Sequence, residues 1–378
     1  MAEATHPAGG HLEVVPLVSR QELRRFIHYP FARYSDDPNW VPPLLIAEKE
    51  QFDRKNPFYE HARVELFLAV RADEVVGRVA AIDDDNHNET HDDDIAFFGF
   101  FEAGDEDAAR ALLAKVERWA RALGRRAVRG PANPSLNHSA GLLIDAFDSD
   151  PFVMMPYNPS EYSLYVESAG YSKVKDLYAW LFERGEDVTR IGRLAARVRN
   201  RHDNLVIRPV DMKRWDEELG RFRDLYNTAW EKNWGFVRYT NAEFDELAKE
   251  FKMILDPELV ALAEVDGELS GITVVLPDAN QVFKRMRGRL LPFGIVHYLN
   301  RKRIIDQVRL PILGVAPEHR NKGFELAMIH ELYQRAIAKG YERCECSWTL
   351  EDNRPMNHVI AAGGARHYKT YRIYQKDL

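Results

Sequence analysis

Both halves of the sequence contain the same order of predicted elements, and this repeat restricts the possible folds more than any other feature. In the first half, residues 66–82 read as two strands around a turn, 95–102 as a third strand, and 105–123 as an amphipathic helix. In the second half, 259–277 predict two strands, 308–315 predict a third, and a helix follows. This repeated order indicates a duplicated α/β unit.

The spacing of glycine and asparagine supports the repeat. A glycine ends each predicted helix, Gly124 in the first half and Gly340 in the second. Asn137 follows Gly124 by thirteen residues, and Asn353 follows Gly340 by thirteen residues. We therefore expect two diverged copies of one fold.

The repeat also predicts the bounds of two domains. The segment 170–180 aligns with 364–374. The polar, basic segment that joins the halves is partly helical in pattern, as linkers often are. The prediction is a first domain over residues 1–185, a linker helix over 186–203 and a second domain over 204–378.

Composition and cysteine content exclude several classes of protein. The chain has 378 residues and a formal net charge of −7, which argues against general nucleic-acid binding and against DNA as a partner. No apolar run approaches the roughly 20 residues that span a membrane, and the N-terminus shows no signal pattern, so a cytoplasmic location is expected. Cys344 and Cys346 cannot form a disulfide framework and lack companion metal ligands, so we expect two buried thiols and no metal.

The run 83–94 is dense in charge, with seven acidic residues and two histidines. It lacks the glycine and the closing glutamate of a calcium-binding loop. Since dense like charge resists burial, a solvated hairpin tip is predicted.

The loop between the third strand and the helix of the second half has the features of a phosphate-binding site. The sequence 320-RNKGFE-325 places two basic residues and a glycine just before the helix. Helix N-termini carry unpaired N–H groups and a partial positive charge, so anions bind there. The corresponding stretch of the first half, 103-AGDED-107, holds three acids that would repel phosphate. Only the second half is therefore expected to bind such a ligand.

The strand, loop and helix of the second half resemble the GNAT acyltransferase superfamily, in which the loop has the form Gln/Arg-x-x-Gly-x-Gly/Ala. Arg320 and Gly323 match its first two fixed positions. Over its whole length, the chain is similar to a bacterial group with two GNAT-like domains, as the phrases WVPPL, FFGFFE, GPANPS, MMPYNP, SWTLEDN and YRIY indicate. The resemblance implies an α/β (α+β) fold of two tandem GNAT-like domains, each a mixed, mostly antiparallel sheet flanked by helices.

The resemblance further implies that acetyl-CoA or another acyl-CoA is the co-substrate of the second domain. Its pyrophosphate would lie on the N–H groups at the start of the helix, and its pantetheine arm along the strand that ends at Val315. The cofactor-binding residues implied by the resemblance are Val315, Arg320, Asn321, Lys322, Gly323, Phe324 and Asn353.

Glu325 conflicts with a simple phosphate site, since a carboxylate about 4 Å from a phosphate costs on the order of 4 kcal/mol at a surface-like dielectric. Alternatively, a glutamate in the first helical turn can bend back and cap a free N–H group. The helix dipole favours the capping role.

The catalytic residues are predicted among the neighbours of Asn353, because the tyrosine that the resemblance implies is missing. Many GNAT enzymes protonate the leaving thiolate with the tyrosine of an Asn-x-x-Ala-x-x-x-Tyr pattern. Here 353-NRPMNHVI-360 retains Asn353, but Met356 and Ile360 replace the alanine and the tyrosine. Nearby residues could supply a base or an acid, and Glu351, Tyr371 and His358 are the catalytic candidates, with Tyr368 and Tyr374 as further tyrosines.

The segment 283–303 holds seven Lys or Arg residues and no acid, interspersed with apolar residues. Such a segment can bind an anionic headgroup, an acyl chain or RNA, or it can be a basic cap packed on the first domain. The leading hypothesis is an acyl-CoA-dependent N-acyltransferase whose second domain binds the donor, with a small-molecule or lipid-like acceptor in a cleft towards the first domain. The basic, apolar segment also allows contact with a membrane surface. The alternatives are a GNAT-like ligand-binding protein without turnover and an aminoacyl-tRNA-dependent transferase.

Overall fold

The computed structural model describes residues 10–378. The strands are β1 (Leu12–Pro16), β2 (Ala62–Arg71), β3 (Glu74–Asp84), β4 (Ile95–Ala103), β5 (Ala127–Gly130), β6 (Ala132–Asn133), β7 (Ser139–Ala140), β8 (Leu142–Leu143), β9 (Ser172–Glu183), β10 (Leu205–Arg208), β11 (Val260–Val265), β12 (Glu268–Pro277), β13 (Gln307–Val315), β14 (Arg343–Leu350) and β15 (Arg366–Asp377). The helices are α1 (Arg20–Arg33), α2 (Leu45–Gln51), α3 (Asp85–His91), α4 (Glu106–Ala122), α5 (Glu161–Ser168), α6 (Thr189–Arg201), α7 (Trp215–Trp230), α8 (Asn241–Ile254), α9 (Asn280–Met286), α10 (Gly294–Leu299), α11 (Arg301–Ile304), α12 (Phe324–Ala338) and α13 (Arg354–Ala362).

The described chain divides into two compact units. Unit 1 comprises the described residues up to Asp150, Met154–Asp176 and Tyr371–Leu378. Unit 2 comprises Pro151–Val153 and Leu177–Thr370.

Unit 1 is built on a mixed sheet with the strand order β1-β2-β3-β4-β5-β15. Neighbouring strands are antiparallel except for β4 and β5, which are parallel. Helix α4 begins at the N-cap Asp105, whose side chain accepts from the Ala108 N–H, and buries an apolar stripe against the sheet. The acids of 103–107 thus cap a helix, as their position at a helix start suggested.

Unit 2 repeats this arrangement with the order β9-β14-β13-β12-β11-β10, in which only β13 and β14 are parallel. Helix α12 packs on one face of this sheet, and α7 packs on the other. The predicted duplication and the predicted class, mixed sheets flanked by helices, are both confirmed.

The last strand of each sheet comes from the other half of the chain. From Leu177 onward, β9 belongs to unit 2, where it pairs with β14. From Tyr371 onward, β15 belongs to unit 1, where it pairs with β5. The compact units therefore depart from bounds placed at residues 185 and 204, because strand pairing is chosen by non-local contacts. Whether 1–185 and 204–378 fold independently stays a prediction.

The predicted linker helix packs firmly within unit 2. Helix α6 contacts α12, with Arg199 Nη2 2.5 Å from Glu331 Oε2. Ala195 on its inner face is buried. The segment is thus helical and part of the packed structure of unit 2, and its role as a linker between domains stays a prediction.

The acidic run 83–94 is not a solvated tip, so that prediction was wrong. Asp83 is fully buried, and Arg125 donates two hydrogen bonds to its carboxylate, at 2.7 and 3.1 Å. His87 is also buried, and burial lowers its pKa to about 4. Arginines that are distant in the sequence pair with the buried carboxylate, and the local charge density did not reveal these partners.

Across residues 10–378, none of the helices combines the length and apolar character needed to cross a membrane.

Candidate functional site

Strands β13 and β14 run parallel and then separate. Their pairing extends from Gln307↔Arg343 to Leu310↔Cys346, and within the described residues it goes no further. Beyond this point β13 stays paired with β12 as far as Val315, and β14 stays paired with β9 as far as Leu350. The separation therefore leaves an opening between two strands that are each held on their other edge.

The loop after β13 leads into the N-terminus of α12. Asn321 and Gly323 have φ angles of 63° and 84°, and α12 begins at Phe324. The N–H groups of Leu326 and Ala327 both donate to the Gly323 carbonyl, at 3.0 and 3.2 Å. The preceding N–H groups have no acceptor within the helix, so this end of α12 is suited to an anion.

The predicted phosphate-binding side chains also have structural roles. Arg320 Nη2 donates to the Ala229 carbonyl oxygen at 2.8 Å and so ties the loop to α7. Lys322 Nζ lies 3.0 Å from His319 Nδ1, and the side chains of Arg320, Asn321 and Lys322 are exposed. Phe324 is buried with its ring against His319, so only its backbone can meet a ligand.

Two observations qualify the fit of a phosphate. A Cβ added at Gly323 would lie 2.7 Å from Val198 Cγ2 of α6, so this glycine is required by its φ and by the approach of α6. The Glu325 carboxylate accepts no hydrogen bond within residues 10–378, so the expected capping is wrong. The exposed lysine and the free N–H groups still fit an anion, and Glu325 opposes them only by its charge.

The three catalytic candidates predicted from the sequence differ in exposure. Glu351 is half-buried at the end of β14, and His358 is exposed on α13. Tyr371 is fully buried in unit 1, in register with Leu143, whereas the other two residues belong to unit 2. The catalytic roles of these three residues stay predictions. Asn353 caps α13, since its Oδ1 accepts from the Met356 N–H at 3.3 Å, and its contact with a cofactor stays a prediction.

A buried polar cluster, which the sequence analysis missed in most of its members, lies where β13 and β14 separate. Glu345 is fully buried and accepts hydrogen bonds from the hydroxyl groups of Ser347 and Tyr368. Arg309 Nε donates to Ser347 Oγ at 2.9 Å and lies 3.7 Å from Glu345 Oε1. Tyr368 is half-buried, so its hydroxyl group is the member of the cluster that a substrate can reach most readily.

The signal for this cluster was present in the sequence. Side chains alternate between the two faces of a strand. Gln307 and Arg309 occupy alternate positions of β13, and Glu345 and Ser347 occupy alternate positions of β14. Polar residues at period two in otherwise apolar strands indicate a buried polar face, and Tyr368 was the only member of the cluster considered beforehand.

The opposite face of the same strands forms an apolar cavity of about 130 Å³ beneath α12. Leu310 and Leu313 of β13, Ile329 and Tyr333 of α12, and Val359 of α13 line it. Cys344 and Cys346 also line it as free thiols, and both point to one side of β14, as the sequence predicted.

Cys344 is unsuited to nucleophilic catalysis. Its hydrogen bond with Cys346, together with burial, raises the pKa of the Cys344 thiol well above its ordinary value. Since the thiolate is the nucleophilic form, this cysteine is held in its unreactive state.

Asp278 lies close to the polar cluster and is 1% exposed. Its carboxylate accepts from the N–H groups of Val153 at 2.8 Å and Asn280 at 3.2 Å, and from Gln307 Nε2 at 2.7 Å. Burial raises the pKa of Asp278 by more than the hydrogen bonds lower it, so the pKa is about 7.

This raised pKa predicts a pH dependence of stability. In the unfolded chain an aspartate has a pKa of about 4, so the folded state binds the proton more tightly. The contribution of Asp278 is complete below pH of about 4 and is lost as the pH rises through about 7, with a slope of at most about 1.4 kcal/mol per pH unit. We expect Asp278→Asn to gain stability relative to the parent between pH 5 and pH 8 in urea unfolding.

The Asp278→Asn variant retains the acceptor for Val153 and Asn280, and Gln307 can turn its amide to accept from the new donor. Asp148→Asn, at an exposed site, is the control and should follow the parent at every pH. A stability difference between Asp278→Asn and the parent that stays constant from pH 5 to pH 8 would contradict the prediction.

Comparisons with known proteins agree with this architecture. The chain is 37% identical to the bacterial ceramide synthase of Caulobacter vibrioides (strain NA1000 / CB15N) over 376 residues, which cover 97% of this chain and 98% of the relative. It is 32% identical to protein YghO of Escherichia coli (strain K12) over 368 residues, covering 96% and 94% of the two chains. No protein-family model matches the chain.

Among solved structures, the tandem GNAT protein from the clavulanic acid biosynthesis pathway superposes with a TM-score of 0.58 at 15% identity. The match covers 97% of this chain and 98% of that protein. This likeness confirms the predicted tandem GNAT fold, and together with the relatives it supports an acyltransferase role. The chain therefore belongs to the family of the bacterial ceramide synthase and YghO, and it has the tandem GNAT fold.

Proposed function

We propose that the protein is an N-acyltransferase that transfers a long acyl group from an acyl-CoA to the amino group of a lipid-like acceptor. The observation that carries this proposal is the apolar cavity of about 130 Å³ beside the separating strands β13 and β14. Part of an acyl chain can lie there while its thioester lies in the opening between the strands, since a cavity of this size holds a ligand about as large as benzene. The relative named ceramide synthase supports the same chemistry, because a ceramide is the N-acyl derivative of a long-chain amino alcohol.

The donor would be held at both ends in unit 2. The free N–H groups at the start of α12 and the exposed Lys322 would bind its phosphates. The unpaired edge of β13 between Leu310 and Val315 would hydrogen-bond its amide groups, since each strand edge presents N–H and C=O groups. The acyl chain would enter the cavity beneath α12.

The polar cluster would move the proton of the reaction. The neutral amine attacks the thioester carbon, a C–N bond forms, and the C–S bond breaks. As the amine attacks, its proton passes to the Tyr368 oxygen while the Tyr368 proton passes to Glu345. The same path in reverse delivers the proton to the departing thiolate, so the products are an amide and free CoA. Arg309 Nε lies 3.7 Å from Glu345 Oε1 and so helps to hold this carboxylate in place.

A substitution that fills the cavity tests the assignment of the acyl chain. We expect acyl-CoAs of 12 to 16 carbons to raise the melting temperature of the parent more than acetyl-CoA does, since a ligand at 100 times its Kd adds about 2.7 kcal/mol. Ile329→Trp replaces an aliphatic side chain that lines the cavity with a larger indole ring. It should abolish the shift with long chains and retain the shift with acetyl-CoA.

Leu164→Trp, at an exposed position of α5 in unit 1, is the control for the added indole and should respond like the parent. Equal shifts for all chain lengths in both parent and Ile329→Trp would place the acyl chain elsewhere. Absence of any shift with every acyl-CoA would remove the donor from the proposal.

A second candidate is a protein that binds an acyl ligand without turnover. Two observations favour it: Arg320 is engaged by the Ala229 carbonyl, and Val198 covers Gly323. Thermal stabilisation by long-chain acyl-CoA without release of free thiol in the presence of long-chain amines would identify this function.

A further inference from the structure

The segment between β12 and β13 exposes an apolar tip. We call residues 284–303 the insert. The described residues include ten large apolar residues that are at least 37% exposed, and four of them lie within nine consecutive residues of the insert. They are Leu291 at 70% exposure, Phe293 at 80%, Val296 at 54% and Leu299 at 69%. Such a cluster is unusual on a surface and marks an interaction site.

Basic side chains flank this tip on both sides along the chain. Arg285, Arg287 and Arg289 precede it, Lys302 and Arg303 follow it, and all five are exposed. Among the described residues, no carboxylate forms an ion pair with any of these five. The insert itself contains no acidic residue. The surface therefore combines exposed apolar side chains with positive charge that the rest of the described protein leaves uncompensated.

Internal contacts hold the insert in this form. A Cβ added at Gly294 would lie 2.0 Å from the Arg289 carbonyl oxygen, so this glycine allows the chain to turn back tightly on itself. Tyr298 donates from its hydroxyl group to the Met253 carbonyl oxygen at 2.9 Å, and Arg301 lies 4.5 Å from the centre of the Tyr298 ring. Met286 is buried. The apolar tip is thus displayed by a packed support.

We propose that the insert is a docking surface for an anionic lipid bilayer. The apolar tip would enter the region between headgroups and acyl chains, and the flanking arginines and lysine would bind lipid phosphates. RNA would offer the same negative charge, but it is recognised by aromatic rings that stack on bases. Three of the four exposed apolar residues of the tip are aliphatic, and these insert among acyl chains but do not stack. The charge and the type of apolar residue together favour the bilayer.

This inference rests on the insert alone. A protein that binds membranes without acyl transfer would satisfy it equally, so its failure and the failure of the proposed function are separate results. If both hold, docking places the protein at the surface where a lipid-like acceptor resides.

The test is co-sedimentation of the purified full-length protein with vesicles of pure phosphatidylcholine and of phosphatidylcholine with 30% phosphatidylglycerol. We expect binding to the anionic vesicles and much weaker binding to the neutral ones. Each basic residue near an anionic surface contributes about fivefold in affinity. The triple variant Arg285→Ser, Arg287→Ser and Arg289→Ser should therefore bind on the order of 100-fold more weakly, and added salt should narrow this gap.

A second variant separates the apolar contribution from the charge. Leu291→Ser with Phe293→Ser should also weaken binding by on the order of 100-fold, because two apolar side chains no longer leave water. Added salt should not reduce the difference in vesicle affinity between the parent and this double variant. The control with the same change in net charge is Arg20→Ser, Arg24→Ser and Arg118→Ser, at exposed positions of unit 1, which should bind vesicles like the parent.

Several outcomes would overturn the proposal. One is failure of the parent to sediment with anionic vesicles, and another is a loss of binding by the control triple variant as large as that of the insert triple variant. Binding of single-stranded RNA by the parent, lost in the insert variants, without vesicle binding would assign the surface to RNA. A marked fall in melting temperature for the insert variants, with unchanged vesicle binding by the folded fraction, would make the insert a structural cap.

Discussion

Replacement of Tyr368 by phenylalanine is expected to lower kcat for N-acylation by about 10²- to 10⁴-fold, the usual contribution of a positioned proton-transfer group. The hydroxyl group of Tyr368 donates to the buried Glu345 and is itself half-buried, so it links substrate and carboxylate in the proposed relay. Because the aromatic ring remains, KM for acyl-CoA should change little. The measurement is release of free thiol from a long-chain acyl-CoA with a long-chain amine as acceptor.

Tyr165→Phe is the matched control, since it removes one hydroxyl group from another half-buried tyrosine, in unit 1. It should retain the kcat of the parent. Glu345→Gln should lose kcat as Tyr368→Phe does, and the double variant should lose no more than either single variant, because the two residues act as a unit. A parental kcat for Tyr368→Phe would exclude the relay.

Replacement of Arg309 by methionine is expected to destabilise the protein by about 3–5 kcal/mol, the usual effect of removing one partner of a buried ion pair. Arg309 is 4% exposed, donates to Ser347 and to the Val153 carbonyl oxygen, and is in ion-pair contact with Glu345. Without it, a fully buried carboxylate lacks a compensating charge. At about 2–4 °C per kcal/mol, the melting temperature should fall by roughly 6–20 °C.

The double variant Arg309→Met with Glu345→Gln provides the critical comparison. It removes both charges, so it should be more stable than Arg309→Met alone. Arg126→Met, whose side chain is 84% exposed beside Asp94, is the surface control and should change stability by less than about 0.5 kcal/mol. An Arg309→Met variant as stable as this control would show that the pair carries no net stabilisation.

The features that depend on local periodicity were predicted well from the sequence. The strand at 95–102 is present as β4 (Ile95–Ala103), and the helix at 105–123 is present as α4 (Glu106–Ala122). Helical and strand spacing report which residues face the core, and they do so without knowledge of distant partners. The same is true of the loop at 320–323, because its glycine and the helix start that follows lie within a few residues of one another.

The candidate site was predicted much less completely. Arg309, Glu345 and Tyr368 lie on three different strands, and only their pairing brings the side chains together. A single sequence does not show which strands become neighbours, so the search for catalytic groups stayed close to Asn353 and selected Tyr371, which is buried in unit 1. The role of Asn353 as a helix cap was likewise visible only in the structure, where its side chain accepts a hydrogen bond from the Met356 N–H group.

By itself, the sequence determined the two α/β units, their helices and the basic, apolar insert, since each of these follows from residue types at short spacing. Only the tertiary structure decided that β9 (Ser172–Glu183) completes the sheet of unit 2 and β15 (Arg366–Asp377) that of unit 1. It also decided that Asp83, within the acidic run 83–94, is buried against Arg125, and that charged groups meet where β13 and β14 separate. The physical reason is the same in each case: strand partners and buried charge pairs are selected by free energies of contact between residues far apart in the chain.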